Sequence, residues 1–243
     1  MKPDTRRWVQ IFLAAALLIA GARLLWIFLD RRAAGPAKAP AAGKLNPDFL
    51  VYPPRSYLSA LHSAEAMKGA TVWVRDGWRY TSQPFNQARR RSVPGKDAAV
   101  ALGPLQKITV QDVITEPSGI PDVNRVDFVF EDSAARPPLR ALAIGTCQDK
   151  GEDCRFYVDE MFFLKDPRQL YSHWKPDAWK AIANHEAREG MSEMQLNFSL
   201  GPGRVLRDRP IYERMVEFRP PGRPPLVVAF DQEGYARRIE QGQ

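Results

Sequence analysis

The chain has 243 residues, 44% hydrophobic and 26% charged, with a formal net charge of +7. This length admits one or two domains, and the apolar fraction is ordinary for a folded chain. The charge is uneven: residues 1–44 hold eight Lys/Arg against two Asp, whereas the rest carries 27 basic and 26 acidic groups. A nucleic-acid binder needs its positive charge on the folded body, where it displaces counterions from phosphates, so the balance argues against that class of partner.

In residues 8–29 only Gln10 and Arg23 are strongly polar. At 1.5 Å per residue a helix of this length reaches about 33 Å, enough to cross a bilayer core. Arg23 lies toward one end, where its stem can snorkel, and Trp8 and Trp26 sit where indoles favour headgroups. A signal peptide cleaved after Ala20-Gly21-Ala22 is the competing reading; it would leave an exposed apolar start without purpose, so an uncleaved anchor is favoured. Residues 1–32 then form a transmembrane anchor with basic flanks. Residues 33–46, rich in Ala, Pro and Gly, form a linker. Lys/Arg counts on the two sides of the span are nearly tied and do not orient it.

Residues 47–165 read as a β-rich domain with a leading helix at residues 57–67, capped by Ser56. Residues 71–74 and 78–81 are β-rich around Asp76-Gly77, a hairpin signal. Further strands fall at 107–115, 126–131, 139–145 and 155–163, with turn residues between them. Short strands without intervening helices suggest a small barrel or sandwich. The opening Lys68-Gly69-Ala70-Thr71-Val72-Trp73-Val74 resembles the first strand of an SH3-like barrel. On such a domain Trp73, Trp78 and Tyr80 are candidates for a concave patch that reads peptide or glycan. Arg89, Arg90 and Arg91 are a candidate phosphate or headgroup contact, or a solvated loop tip. Cys147 and Cys154, the two cysteines, flank a polar, turn-like loop. That spacing suits a structural disulfide formed in an oxidising compartment, with free thiols as the alternative. Asp149, Glu152 and Asp153 in this loop could meet a cation weakly or form a soluble acidic turn.

Residues 166–243 form a second module. A helix at 178–187 with Asp177 as its cap buries Trp179, Ile182 and Ala183. Gly190 ends it, and Ser192 with Gln195 forms a capping box for the next helix, which stops at Leu200-Gly201-Pro202. Three β runs follow at 215–219, 226–230 and 235–239, giving the order α-α-β-β-β.

Gly190-Met191-Ser192-Glu193-Met194-Gln195, Leu200-Gly201 and the hairpin with Asp231 and Gly234 resemble the SmpA/OmlA-like module of the small lipoprotein of the outer-membrane β-barrel assembly machinery. The resemblance covers about 65 residues. The family's Trp-x-Tyr strand is here Val216-Glu217-Phe218, and there is no lipidated cysteine. It implies an α/β sandwich used for protein contacts in the bacterial envelope.

The fold class expected is therefore α+β: a single transmembrane helix, a small all-β domain, and a C-terminal two-layer domain. The anchor gives a single-pass chain in the inner membrane, and the cysteines together with the resemblance put its body on the extracytoplasmic side. The function expected is non-catalytic: an interaction or scaffold module with an envelope protein as partner and no cofactor. The first alternative is a peptide- or cell-wall-binding module. The second is a metal-assisted enzyme using His185 and Glu186, although His185-Glu186-Ala187-Arg188-Glu189 lacks the last ligand of H-E-x-x-H. No P-loop, dinucleotide or nucleophile-elbow motif is present.

Overall fold

The computed structural model describes residues 17–26, 28–29, 45–95, 98–148, 151, 153–206 and 214–242. Contacts set Leu45–Gln243 apart as one compact unit. Residues 17–26 and 28–29 are helical, while 8–16 and 27 of the expected span, the linker beyond it as far as residue 44, and Asp149 and Glu152 lie outside the described residues. Ten helical residues rise about 15 Å, half a bilayer core. Among the described residues no helix is long and apolar enough to cross a membrane. The expectation of a single-pass anchor, and of an inner-membrane location resting on it, is corrected accordingly.

The expected α+β class is corrected as well. The body is mostly β, arranged in three sheets, and its described helices are short: α1 (Leu61–Glu65), α2 (Val158–Met161), α3 (Pro167–Leu170), α4 (Pro176–Ala183) and α5 (Glu193–Leu200). Helical signals were cut short by local chemistry. Ser56 does not cap a helix at 57; its amide and hydroxyl donate to Asp159 at 2.6 and 2.8 Å, and Tyr57 adopts φ 50°. The run expected as a strand at 155–163 is broken by α2 between β9 (Cys154–Phe156) and β10 (Phe162–Phe163).

The largest sheet has the order β3-β2-β8-β7-β6, with β4 added to β2 and β9 to β8. Its strands are β2 (Thr81–Asn86), β3 (Arg91–Ser92), β4 (Val100–Ala101), β6 (Asp112–Pro117), β7 (Val123–Glu131) and β8 (Leu139–Gln148). The long antiparallel pair β7–β8 is its spine, from Val123↔Gln148 to Glu131↔Leu139. Side chains bridge the two outer strands: Glu116 of β6 accepts from the amide and hydroxyl of Ser92 in β3. Arg125 donates to Ser92, Glu116 and Asp127 at 2.7–3.1 Å. The sheet is thereby a nearly closed barrel. Arg140, fully buried on β8, donates to the carbonyls of Ser82 and Ala98 and ties the 98–101 segment to β2.

A second sheet, in the order β10-β1-β5, uses β1 (Thr71–Val74) and β5 (Lys107–Thr109). It is a wall between two cores. Side chains alternate across a strand, and here Val72, Val74, Ile108 and Phe162 face the first core while Trp73 and Phe163 face the second. β1 therefore does not form a hairpin with β2; the Asp76-Gly77 turn carries the chain from one sheet to another. Gly77 has no room for a side chain, since a Cβ would lie 2.3 Å from the Pro104 nitrogen.

The third sheet is β11-β12-β13-β14, with β11 (Arg204–Val205), β12 (Arg214–Phe218), β13 (Leu226–Phe230) and β14 (Ala236–Gln241). Val216, Phe218, Val228 and Phe230 cover one face, against Leu196, Phe198 and Leu200 of α5 and Ile182 of α4. At roughly 1.5–3 kcal/mol per fully buried large apolar side chain, this face is the main source of order in the C-terminal region.

Candidate functional site

A groove combining aromatic walls with a charged rim lies on the second-core face of the wall. Trp73 of β1, Leu105 before β5, and Trp179 and Ile182 of α4 line this groove of about 460 Å³. Lys107, Asp166, Arg168 and His185 are the polar residues of its lining. This volume and mixture suit a side chain or a small ligand.

Each wall is placed by local rules. Trp73 faces the groove because Val72 and Val74 occupy the opposite face of a strand with period 2. Pro176 at the first position of α4 starts that helix, and its apolar stripe turns Ile182 inward. Trp179 packs on Trp174, with ring centroids 4.9 Å apart, and lies 5.9 Å from the Arg168 guanidinium. The carboxylate of Asp166 caps α3 by accepting from the Arg168 amide at 2.9 Å, so it is already engaged. Lys107 and Arg168 remain as exposed cations on the rim. Leu105 and His185 both hold positive φ, at 55° and 54°, and Trp78, whose ring meets His185 edge-on at 5.6 Å, has φ 67°. Non-glycine residues in this region cost on the order of 1–3 kcal/mol each and cluster at functional sites.

The three aromatic candidates do not share one concavity. Trp73 lines the groove. Tyr80 lines a separate cleft of about 640 Å³ with Arg55, Arg75, Arg79 and Tyr157. Trp78 is a wedge at the joint between the cores, packed against Gly103, Gly201 and His185. Its indole N–H is shielded from solvent and has no partner among the described residues. Burial and nearby Asp76 push the Tyr80 phenol above its ordinary value, so it stays a donor.

Arg89, Arg90 and Arg91 occupy the exposed tip of the β2–β3 turn. Arg90 pairs with Asp112 at 2.9 Å, as does Lys68 at 3.2 Å. Burial opposes ionisation of Asp112, but the Lys68 hydrogen bond, the Val113 amide and the two cations hold its pKa below the usual carboxylate value. Cys147 and Cys154 form a disulfide that staples β8 to β9, where they are direct cross-strand partners.

His185 and Glu186 point apart. The His185 Nδ1 bonds the Ser199 carbonyl at 2.9 Å, while Glu186 accepts from Arg188 and Asn184. The Arg188 hydrogen bond, opposed by burial and aided by the Asn184 hydrogen bond and the charges of Arg188 and Lys180, holds Glu186 below its ordinary pKa. Among the described residues no three His, Cys, Asp or Glu side chains converge as metal ligands.

The Gly190–Gln195 motif hides a partner. Gly190 takes φ 82° and Ser192 caps α5: its amide donates to Gln195 Oε1 at 3.0 Å, and its hydroxyl accepts from the Gln195 amide at 3.2 Å. Met191 is buried in the second core. The Ser192 hydroxyl also donates to Asp48, from a 3-10 turn at Pro47–Leu50. Asp48 is buried and accepts from Trp174 Nε1 at 2.6 Å and His173 Nε2 at 2.7 Å. Asn46 stabilises the turn and donates to the Glu233 carbonyl at 3.3 Å. Serine, histidine and aspartate thus meet, but with Asp48 in the middle. Among the described residues no histidine or lysine reaches the Ser192 oxygen, so the cluster is a clamp without an activated nucleophile. Asn46-Pro47-Asp48 carries a visible turn signal; nothing local shows that its carboxylate reaches Ser192. At the far end of α5, Gly201 has φ 85°, and a Cβ there would lie 2.8 Å from Trp78 Cδ1 and 2.9 Å from the Gly77 oxygen.

Comparison with protein-family models, with curated proteins and with solved structures returned no match to this chain.

Proposed function

We propose that this protein is a binding module that docks a segment of a partner protein, and that the groove between Trp73 and Trp179 receives an apolar or aromatic side chain of that segment. The groove carries the reading: aromatic walls supply most of the contact energy in peptide recognition, and they sit here on rigid strand and helix elements. The exposed cations Lys107 and Arg168 favour an acidic residue next to the anchoring side chain. The resemblance of the Gly190–Gly201 region to SmpA/OmlA-like modules supports the same class of function.

Panning a random-peptide library against the folded protein tests the proposal. Enriched peptides should share an apolar residue flanked by Asp or Glu. Their affinity, measured by fluorescence anisotropy, should fall at least about tenfold in Trp179→Ala, the loss of one aromatic anchor. Peptides that bind wild type and Trp179→Ala equally would remove the groove from consideration.

A further inference from the structure

The third sheet ends in an open edge. β14 pairs with β13 on one side, and beyond Ala236, which bonds Met191, no described strand pairs with its other side. The register gives the direction of each backbone group. Gly242 donates to the Pro225 carbonyl, so Gly242, Glu240 and Arg238 turn their N–H and C=O toward β13. Ile239 and Gln241 therefore turn theirs outward. An unpaired edge of this kind is a template for another strand.

The side chains of the edge select the strand. Ile239 packs against the second core, while Arg238 and Glu240 stand exposed on the opposite face, 3.1 Å apart. We infer that β14 pairs with β14 of a second copy, antiparallel and centred on Ile239. In that register the two Ile239 residues exchange both backbone hydrogen bonds. Arg238 of each copy lies directly opposite Glu240 of the other, in the closer, non-hydrogen-bonded type of pair. The arrangement obeys twofold symmetry and joins two four-stranded sheets into one. Moving the centre by one residue puts Arg238 opposite Arg238, or Glu240 opposite Glu240, so the charges define the register as well as the partner. A third protein strand lacks this built-in complement. The inference does not depend on the Trp73–Trp179 groove, which uses other residues and another sheet.

Five residues of strand pairing bury less than the roughly 1,200–2,000 Å² of standard stable interfaces, so the dimer should be weak and concentration-dependent. Sedimentation velocity of the full chain over a concentration series reads it. Wild type should shift from monomer to dimer, and Arg238→Glu and Glu240→Arg should each weaken association about tenfold or more, because each turns two opposite-charge pairs into like-charge pairs. Mixing the two variants should restore the dimer, since the two glutamates on the edge of one chain then face the two arginines of the other. Far-UV circular dichroism of each variant alone checks that both fold. A wild type that stays monomeric to about 1 mM overturns the inference, and so does a mixture of folded variants that stays monomeric. Association unchanged in both single variants also overturns it, by placing the contact elsewhere. Peptide binding at the groove would survive any of these results.

Discussion

Two of the molecule's apolar clusters carry polar clamps of different kinds: the barrel interior around Phe85, Ile114 and Val129, and the second core on the far side of the β10-β1-β5 wall. On the barrel side Arg125 sits among Glu116, Asp127 and Ser92, so each buried carboxylate has a cation within 3.1 Å. All four residues belong to strands of one sheet. On the other side Asp48 meets Ser192, Trp174 and His173, with no arginine or lysine among its described partners, and reaches them across about 125–144 residues of chain. The first clamp joins the two outer strands of one sheet, β3 and β6, and so draws that sheet toward closure. The second is what holds the Pro47–Leu50 turn on α5. A buried carboxylate that satisfies several donors is costly to remove, because its loss strands those donors as well.

The largest effect should come from Asp48→Ala. It leaves Trp174 Nε1 and Ser192 Oγ without their acceptor and should lower stability by about 3–4 kcal/mol in urea unfolding. Hydrogen exchange would sharpen the contrast: β12–β14 amides should lose protection more than β7–β8 amides. Equal loss in both sheets would show that the two cores unfold as one unit.

Gly201→Ala addresses the joint. Its φ of 85° and the close approach of Trp78 and the Gly77 carbonyl predict a loss of about 2–3 kcal/mol, with a changed tryptophan emission from Trp78. An unchanged spectrum would mean that Trp78 is not the wedge between the cores.

Cys147→Ser acts on the barrel side only. Closing so short a loop stabilises by about 2 kcal/mol in the chain-entropy model, so the thermal midpoint should fall in this variant and in reduced wild type to similar degrees. Unequal effects would indicate that reduction perturbs more than this bridge.

The smallest effect is in pH dependence, where two carboxylates run in opposite directions. Burial works against ionised Asp159, but the Ser56 amide and hydroxyl and the Tyr57 amide outweigh it, and its pKa is lowered. Its contribution is present above the ordinary carboxylate pKa and is lost as pH falls through the lowered value. Burial raises the pKa of Asp127 despite the opposing Arg125. The folded state then holds that proton more tightly, so this contribution is greatest at low pH and falls as pH rises through the raised value. Relative to wild type, Asp159→Asn should flatten the acid loss of stability, whereas Asp127→Asn should remove a component that declines with rising pH. Solvent screening keeps the Asp159 effect within about 1 kcal/mol.

Several parts of this arrangement are legible locally. Ser192 and Gln195 are three residues apart, and their reciprocal hydrogen bonds need only the helix that they cap. Gly201 ends that helix as its position after Leu200 suggests, and the runs at 214–218, 226–230 and 236–241 pair in sequence order. The Cys147–Cys154 bridge spans a short turn. Other signals misled. Asp76-Gly77 has hairpin chemistry, yet β1 pairs with β5 and β10, because alternating Val and Trp side chains serve two cores at once. The apolar run at 8–29 suggested a membrane span that no described helix provides.

What the amino-acid order determined by itself is the short-range chemistry: caps, turns, strand alternation and the cysteine staple. These are settled by neighbours a few residues apart, whose geometry the backbone dictates. Only the tertiary structure decided that Trp73 faces Trp179, that Asp48 reaches Ser192, and that Trp78 wedges between Gly103 and Gly201. Those contacts join residues distant along the chain. They exist because burying apolar surface on both faces of one small sheet brings two cores into a single packed body.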